Sequence, residues 1–266
     1  MGYSYTKHLF AFMDILGYKS IVNDVENNIE KAEQIISNID NLVSKCIKEQ
    51  LERLNQEFKV DYLIFSDSIC VAIPIEDITE EEYINSLAQR LQLLTYIIAN
   101  IQLYAVEFDI LLRGAISIGN SYRNENIMFS KALVDAYIAE SNLAVYPRII
   151  LCHESNSEIL SAYVNAKINY GEFLYLIEDG EYICVNYLAN VNEFYNSIYI
   201  RKLVKKHKDI IESNIEKFKD SNKLLEKYAW LTSYHNSTLC NKFSDLLIDR
   251  KYTDILYEKL GLYSFL

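Results

Sequence analysis

The sequence predicts an α+β fold, a central sheet with flanking helices and a helical C-terminal extension. Three observations carry that reading. Apolar runs of strand length alternate with longer stretches of helical periodicity as far as about residue 190. Gly and Pro number only 7 and 2 in 266 residues, which argues against a chain of linkers or a disordered one. From Asn192 onward the pattern is helical throughout. Half of the residues are hydrophobic, enough for a large core in one domain with an appendage. The expected division is a sheet domain over 1–190 and a helical extension over 191–266 packed on it.

The elements follow in order. Residues 8–14 form an apolar run of strand length, and 18–56 carry apolar residues at three- and four-residue steps, the mark of helix. Residues 58–66 and 68–74 read as two strands meeting at "SDS", a hairpin with Asp67 at its tip and Pro74 closing the second strand. "DITEEEY" opens a helix with acids in its first turn, favourable to the helix dipole, and that helix extends to about Tyr104. "FDILLRGAISIGNSY" is the next strand. A helix from Ser130, its N-cap, runs to Leu143, and "YPRIILCHE" is a further strand. "EFLYLIEDGEYICVNYL" reads as a hairpin turning at Asp179-Gly180.

Composition removes several function classes. No apolar run reaches membrane-span length and the N-terminus lacks a signal-peptide core, so a soluble, cytoplasmic protein with no membrane partner is expected. The five cysteines are scattered, with no CxxC pair, which suits a reducing compartment and no zinc site. A formal charge of −11 disfavours nucleic acid as a partner. The short basic run "KLVKKHK" reads as a solvated helix face. "KYAWLTSYHN" (227–236) has its aromatic residues at helical spacing, which is core packing, although Lys227 could reach a phosphate.

Two aspartates carry the chemistry. Asp14 ends the apolar run of "FAFMDILGY" and Asp67 sits in "FSDSI". Either alone reads most simply as a turn or capping residue. Together, at the ends of neighbouring strands, they would place two carboxylates side by side, which repel unless a cation lies between them. Mg²⁺ or Mn²⁺ suits such oxygen ligands and commonly brings a substrate triphosphate with it. Ile15-Leu16-Gly17 would then offer backbone N–H groups to phosphate at a helix start, with Gly17 permitting close approach.

"FAFMDILGY", "FSDSI", "LLRGAISIG" and "MFSKALVDAYIAES", in that order, resemble the motifs of the class III nucleotidyl cyclases, over about residues 8–152. "RGAISIG", "ALVDAYIAES", "AVYPRIIL" and "KYAWLTSYHN" are most similar to the bacterial pyrimidine cyclases of the Pycsar antiphage systems. The resemblance implies a ferredoxin-like, palm-type sheet. It implies a homodimer with active sites near the interface. It implies cyclisation of a pyrimidine nucleoside triphosphate, UTP favoured over CTP, to a 3′,5′-cyclic monophosphate that serves as an antiphage second messenger. It further implies two Mn²⁺ or Mg²⁺ ions held by Asp14, Asp67 and the Ile15 carbonyl, with Leu16, Gly17 and Tyr18 along the phosphates.

The sequence departs from that family in two places. Leu63 stands where purine cyclases carry a base-reading Lys, so Tyr62 and Leu63 are expected to wall a smaller base pocket. Val134 and Ile138 occupy the places of an Asn and an Arg that act on ribose and transition state, and neither can donate a hydrogen bond. Arg113, Arg123, Lys131 and Arg148 are the candidate substitutes, with Arg113 the catalytic choice. Two alternatives stay open: a catalytically dead nucleotide-binding or dimerising relative, and a palm-type oligonucleotide-forming polymerase.

Overall fold

The computed structural model describes residues 5–75, 80–124, 127–152, 156–171, 175–192, 194 and 196–261. Among the described residues eight strands form one sheet, ordered β2-β3-β1-β4-β6-β8-β7, with β5 paired to β4. The strands are β1 (Thr6–Ile15), β2 (Asp61–Phe65), β3 (Ser68–Pro74), β4 (Leu112–Arg123), β5 (Met128–Ser130), β6 (Ile149–Leu151), β7 (Leu176–Asp179) and β8 (Tyr182–Val185). β1 lies antiparallel between β3 and β4, and β6 joins β4 in parallel. The helices are α1 (Tyr18–Val25), α2 (Ile29–Asn41), α3 (Glu49–Phe58), α4 (Glu80–Glu107), α5 (Lys131–Asn142), α6 (Ser157–Tyr170), α7 (Ile198–Lys217), α8 (Asn222–Leu239) and α9 (Arg250–Leu260).

The two faces of the sheet are unequal. Leu9, Ala11, Met13 and Ile15 of β1 point to the larger core, which also takes in α4 and residues of α7 and α8 such as Val204, Ile211, Leu225 and Trp230. Phe10 and Phe12 point to the other face, where they pack with Ala132, Ala136 and Ala139 of α5. Alternation along β1 thus serves two cores, which is why its sequence is a continuous apolar run. The small residues of α5 let that helix lie close to the sheet.

Close approach also explains Gly114. A Cβ there would stand 2.2 Å from the Phe12 carbonyl oxygen, a backbone atom of β1. We expect Gly114→Ala to cost about 1–3 kcal/mol by overpacking, read as a lower urea midpoint at unchanged slope. An unaltered midpoint would show that β1 and β4 can separate freely.

Several expectations hold and several shift. Ser130 caps α5, accepting from the Leu133 N–H at 3.0 Å. The 18–56 segment is not one helix. It breaks into α1, α2 and α3, with a π-helical stretch over Leu42–Lys48 between the last two. The β6 strand is three residues long, and the strand expected from Phe108 starts at Leu112. The β7–β8 turn falls on Gly180-Glu181, with Gly180 at φ 61°. Asp77, Ile78 and Thr79, which open "DITEEEY", lie outside the described residues. Helix α6 has no counterpart among the elements expected from the sequence.

Candidate active site

Strand register sets the site. Phe65 pairs with Ser68, Ser68 with Asp14, and Asp14 with Arg113. Residues directly opposite share a face, so these four stand in one row across the end of the sheet, on the α5 side. Asp67 occupies the β2–β3 turn beside them. Its carbonyl accepts from the Ile15 N–H at 3.2 Å, which ties the hairpin tip to the end of β1. Ser66 shapes that turn with φ 55°, a left-handed conformation that Gly enters most freely.

The Asp14 and Asp67 side chains come within hydrogen-bonding reach. Burial, and after it the Asp67 carboxylate, push the Asp14 carboxyl up to about 6, although Arg113 pulls the other way. Asp14 is 18% exposed. Arg113 Nη2 lies 3.2 Å from Asp14 Oδ2 and 2.7 Å from Glu140 Oε1 on α5. Lys227 of α8 lies close enough for its ammonium to be pushed below the usual range, first by burial and then by the Arg113 and Lys223 charges. The site therefore joins two carboxylates to Arg113, with Lys227 near enough to that guanidinium to feel its charge.

The predicted phosphate loop is only partly free. The Ile15 N–H is engaged as above, and the Leu16 N–H donates to the Leu111 carbonyl at 2.9 Å. The expectation that all three amides of Ile15-Leu16-Gly17 stand open is corrected for these two, because β1 extends its hydrogen bonding to the strand's end. Gly17, at φ 78°, turns the chain into α1, and Tyr18 begins that helix half-buried.

The two base-pocket residues separate. Leu63 pairs with Cys70, and Cys70 with Phe12, one row from Asp14 on the same face, and Leu63 is 38% exposed. Tyr62 points to the opposite face, packs against the larger core and directs its hydroxyl to Glu52 at 3.4 Å. Tyr62 as a wall beside Asp14 is thereby corrected: alternation sends it through the sheet.

The other candidate cations are placed away from the aspartates. Arg123 donates to the Tyr62 carbonyl and lies 3.6 Å from Asp61. Lys131 pairs with Asp135 one turn on, and Arg148 is buried against Asp179 between Tyr146, Tyr182 and Trp230. Val134 and Ile138 project from α5, each 51% exposed. Glu140 is the residue that sequence reasoning missed, since a lone Glu near a helix end reads as solvated.

Among the described residues no group of three or more His, Cys, Asp and Glu side chains converges as a metal cage. A pair of close carboxylates, one of them with its carboxyl raised to about 6, nevertheless fits Mg²⁺ or Mn²⁺. Such ions take one or two protein carboxylates and complete their shell with water and substrate phosphates.

No family model and no curated protein matches the sequence. Solved structures similar to this one include the monomeric guanylyl cyclase domain of the RhoGC fusion protein from the aquatic fungus Blastocladiella emersonii. It has TM-score 0.40 and 12% identity, covering 68% of this chain and 95% of that one. A class III adenylyl cyclase-like ATP-binding protein from Pseudomonas aeruginosa gives TM-score 0.39 and 12% identity, over 60% of this chain and 34% of that one. The catalytic core of a rhodopsin-guanylyl cyclase with converted specificity, in complex with ATPαS, gives 0.38 and 13%, over 68% and 96%. Among the described residues no helix is long and apolar enough to cross a membrane.

Proposed function

We propose that this chain is a divalent-cation-dependent nucleotidyl cyclase that converts a pyrimidine nucleoside triphosphate to its 3′,5′-cyclic monophosphate and pyrophosphate. The observation that carries it is the meeting of the Asp14 and Asp67 carboxylates at one end of the sheet, with Arg113 beside Asp14. Asp14, Asp67 and the Ile15 carbonyl would hold Mn²⁺ or Mg²⁺. When bound, the ions supply positive charge that acidifies the ribose 3′-hydroxyl and offsets charge on the leaving group. In the reaction the 3′-oxygen bonds to the α-phosphorus, the bond from that phosphorus to the bridging oxygen breaks, and pyrophosphate leaves with the electron pair. The 3′-hydroxyl proton goes to solvent.

This chain's own residues then have separate tasks. Lys227 balances the pyrophosphate and Arg113 stays beside the aspartates, with Gly17 and Tyr18 at the start of α1 lying along the phosphates. Leu63 presents an apolar wall on the face of Asp14, which discriminates by size rather than by hydrogen bonds. With Val134 and Ile138 unable to donate, a donor from a second copy completes the site. Phe65, Phe129, Tyr137, Val134 and Ile138, all exposed, offer apolar surface for such a homodimer. The cyclic product, UMP favoured over CMP, would act as an antiphage signal, as the motif resemblance implies.

Incubation with each of the four ribonucleoside triphosphates and Mn²⁺, with products resolved by mass spectrometry, tests this. Cyclic UMP or cyclic CMP is expected, from protein that elutes as a dimer. Cyclic purine nucleotides would refute the pocket argument, linear oligonucleotides would indicate a polymerase, and binding without product a dead relative.

A further inference from the structure

Glu140 is 3% exposed, near the end of α5, and its Oε2 accepts from the Ser141 hydroxyl at 2.9 Å. A carboxylate withdrawn from water needs a cation. Among the described residues Arg113 is the one that pairs with it, Nη2 to Oε1 at 2.7 Å. That same Nη2 is the one that reaches Asp14 Oδ2, at the longer distance of 3.2 Å. One guanidinium therefore serves two carboxylates: Glu140, which is buried and has no other counter-charge among the described residues, and Asp14, which faces the site. The Oε1 contact lies off the N–H direction, and the buried Arg113 Nε also lacks a hydrogen-bond partner, so Glu140 holds the guanidinium by charge while Asp14 accepts a directed hydrogen bond from it.

We propose that Glu140 is a positioning residue that holds Arg113 as a retractable counter-cation. The guanidinium neutralises Asp14 while no metal is present, and it withdraws onto Glu140 when a divalent ion takes Asp14 and Asp67. The proposal rests on reading the two aspartates as the cation site. Without a second carboxylate, Arg113 would remain on Asp14, where it repels an incoming dication and occupies its ligand. Glu140 thus sets the divalent affinity of a site it never touches. Its side chain is shielded by α5 and the sheet, so solvent ions cannot replace it.

The test is Mn²⁺ binding to nucleotide-free protein, read from the electron paramagnetic resonance of free Mn²⁺, with Asp67→Asn as the control that locates the ion. Glu140→Gln, which keeps the shape and the Ser141 contact, is expected to weaken Mn²⁺ binding by about 10–100-fold, as losing an outer-shell partner does. The charge-neutral double variant Arg113→Met/Glu140→Gln is expected to restore affinity to at least the wild-type level, because the competing cation has gone. A purely structural Glu140 would lower stability and leave Mn²⁺ affinity as it was, and that result overturns the proposal. So does a double variant that binds as weakly as Glu140→Gln. If Glu140→Gln does not fold, the double variant decides alone, and weaker binding than wild type refutes the proposal. Wild-type protein that takes up no Mn²⁺ dependent on Asp67 would remove the cation-site reading and this inference together. Wild-type binding matched by Glu140→Gln would remove this inference only.

Discussion

Asp14→Asn and Asp67→Asn are each expected to end turnover by at least about 10²–10³-fold, the loss that follows removal of one group aimed at developing charge, while leaving a folded protein. Asparagine preserves shape and cannot supply the anionic oxygen that Mg²⁺ or Mn²⁺ prefers. The less obvious half of the prediction concerns stability. Asp14 is raised to about 6 because burial and Asp67 outweigh the help from Arg113. At pH 7.5 the ionised Asp14 is therefore a burden on the metal-free fold, and Asp14→Asn should raise stability by about 1–3 kcal/mol. Lost turnover with a raised urea midpoint is the signature of a functional carboxylate held at a structural cost. Retained turnover in either variant would remove the aspartates from the mechanism. A lowered midpoint in Asp14→Asn would show that attraction to Arg113 outweighs burial and the Asp67 charge.

The parts of this site that were legible in the sequence are those set by short-range pattern. Asp14 stood out because a carboxylate at the end of a run such as "FAFM" must lie at a strand end or carry a cost. The hairpin around Asp67 followed from two apolar runs and a polar break. What could not be read was anything fixed by pairing register. Alternation says that Tyr62 and Leu63 face opposite ways, but only the pairing of Leu63 with Cys70 and of Cys70 with Phe12 decides which of them shares a face with Asp14. Glu140 is buried only because β4 brings Arg113 beneath the end of α5. Helix α6 was hidden for a different reason. Its buried residues Ile159, Ala162, Tyr163 and Ala166 keep helical spacing, but the exposed Leu160, Val164 and Ile168 fill the opposite face and blur the periodicity. In the 18–56 segment, apolar residues recur through the π-helical stretch at steps indistinguishable from those of α-helix, so the breaks left no mark.

Acid is expected to loosen the C-terminal helices, because two neutral histidines hold α7 to α8. His207 on α7 and His235 on α8 are buried, with their Nδ1 atoms 2.8 Å apart. His235 Nε2 lies 2.9 Å from the Leu246 carbonyl, which can only accept, so this nitrogen carries the proton. His235 Nδ1 must then accept, which places the other proton on His207 Nδ1. His207 Nε2 in turn accepts from the Tyr187 hydroxyl at 2.7 Å. Each ring holds one proton and the chain has one consistent arrangement. A further proton on His235 would set two N–H groups against each other. Burial, together with the Lys208 charge, lowers His235 to about 4, although the Leu246 carbonyl opposes the shift, and burial followed by the His235 charge lowers His207 well below its usual value. Both folded values lie below the unfolded 6.5, so the unfolded chain binds protons that the native one refuses. The stabilisation is therefore complete above about pH 6.5 and falls as pH drops toward 4. His235 alone accounts for about 3 kcal/mol of that loss, at about 1.4 kcal/mol per pH unit. Urea midpoints at pH 7.5, 6 and 5 measure it, and His235→Gln, which can still donate to Leu246, should flatten the dependence by about one proton. A wild-type midpoint that stays constant from pH 7.5 to 5, or a slope unchanged in the variant, would show that the pair accepts protons without breaking the chain of hydrogen bonds.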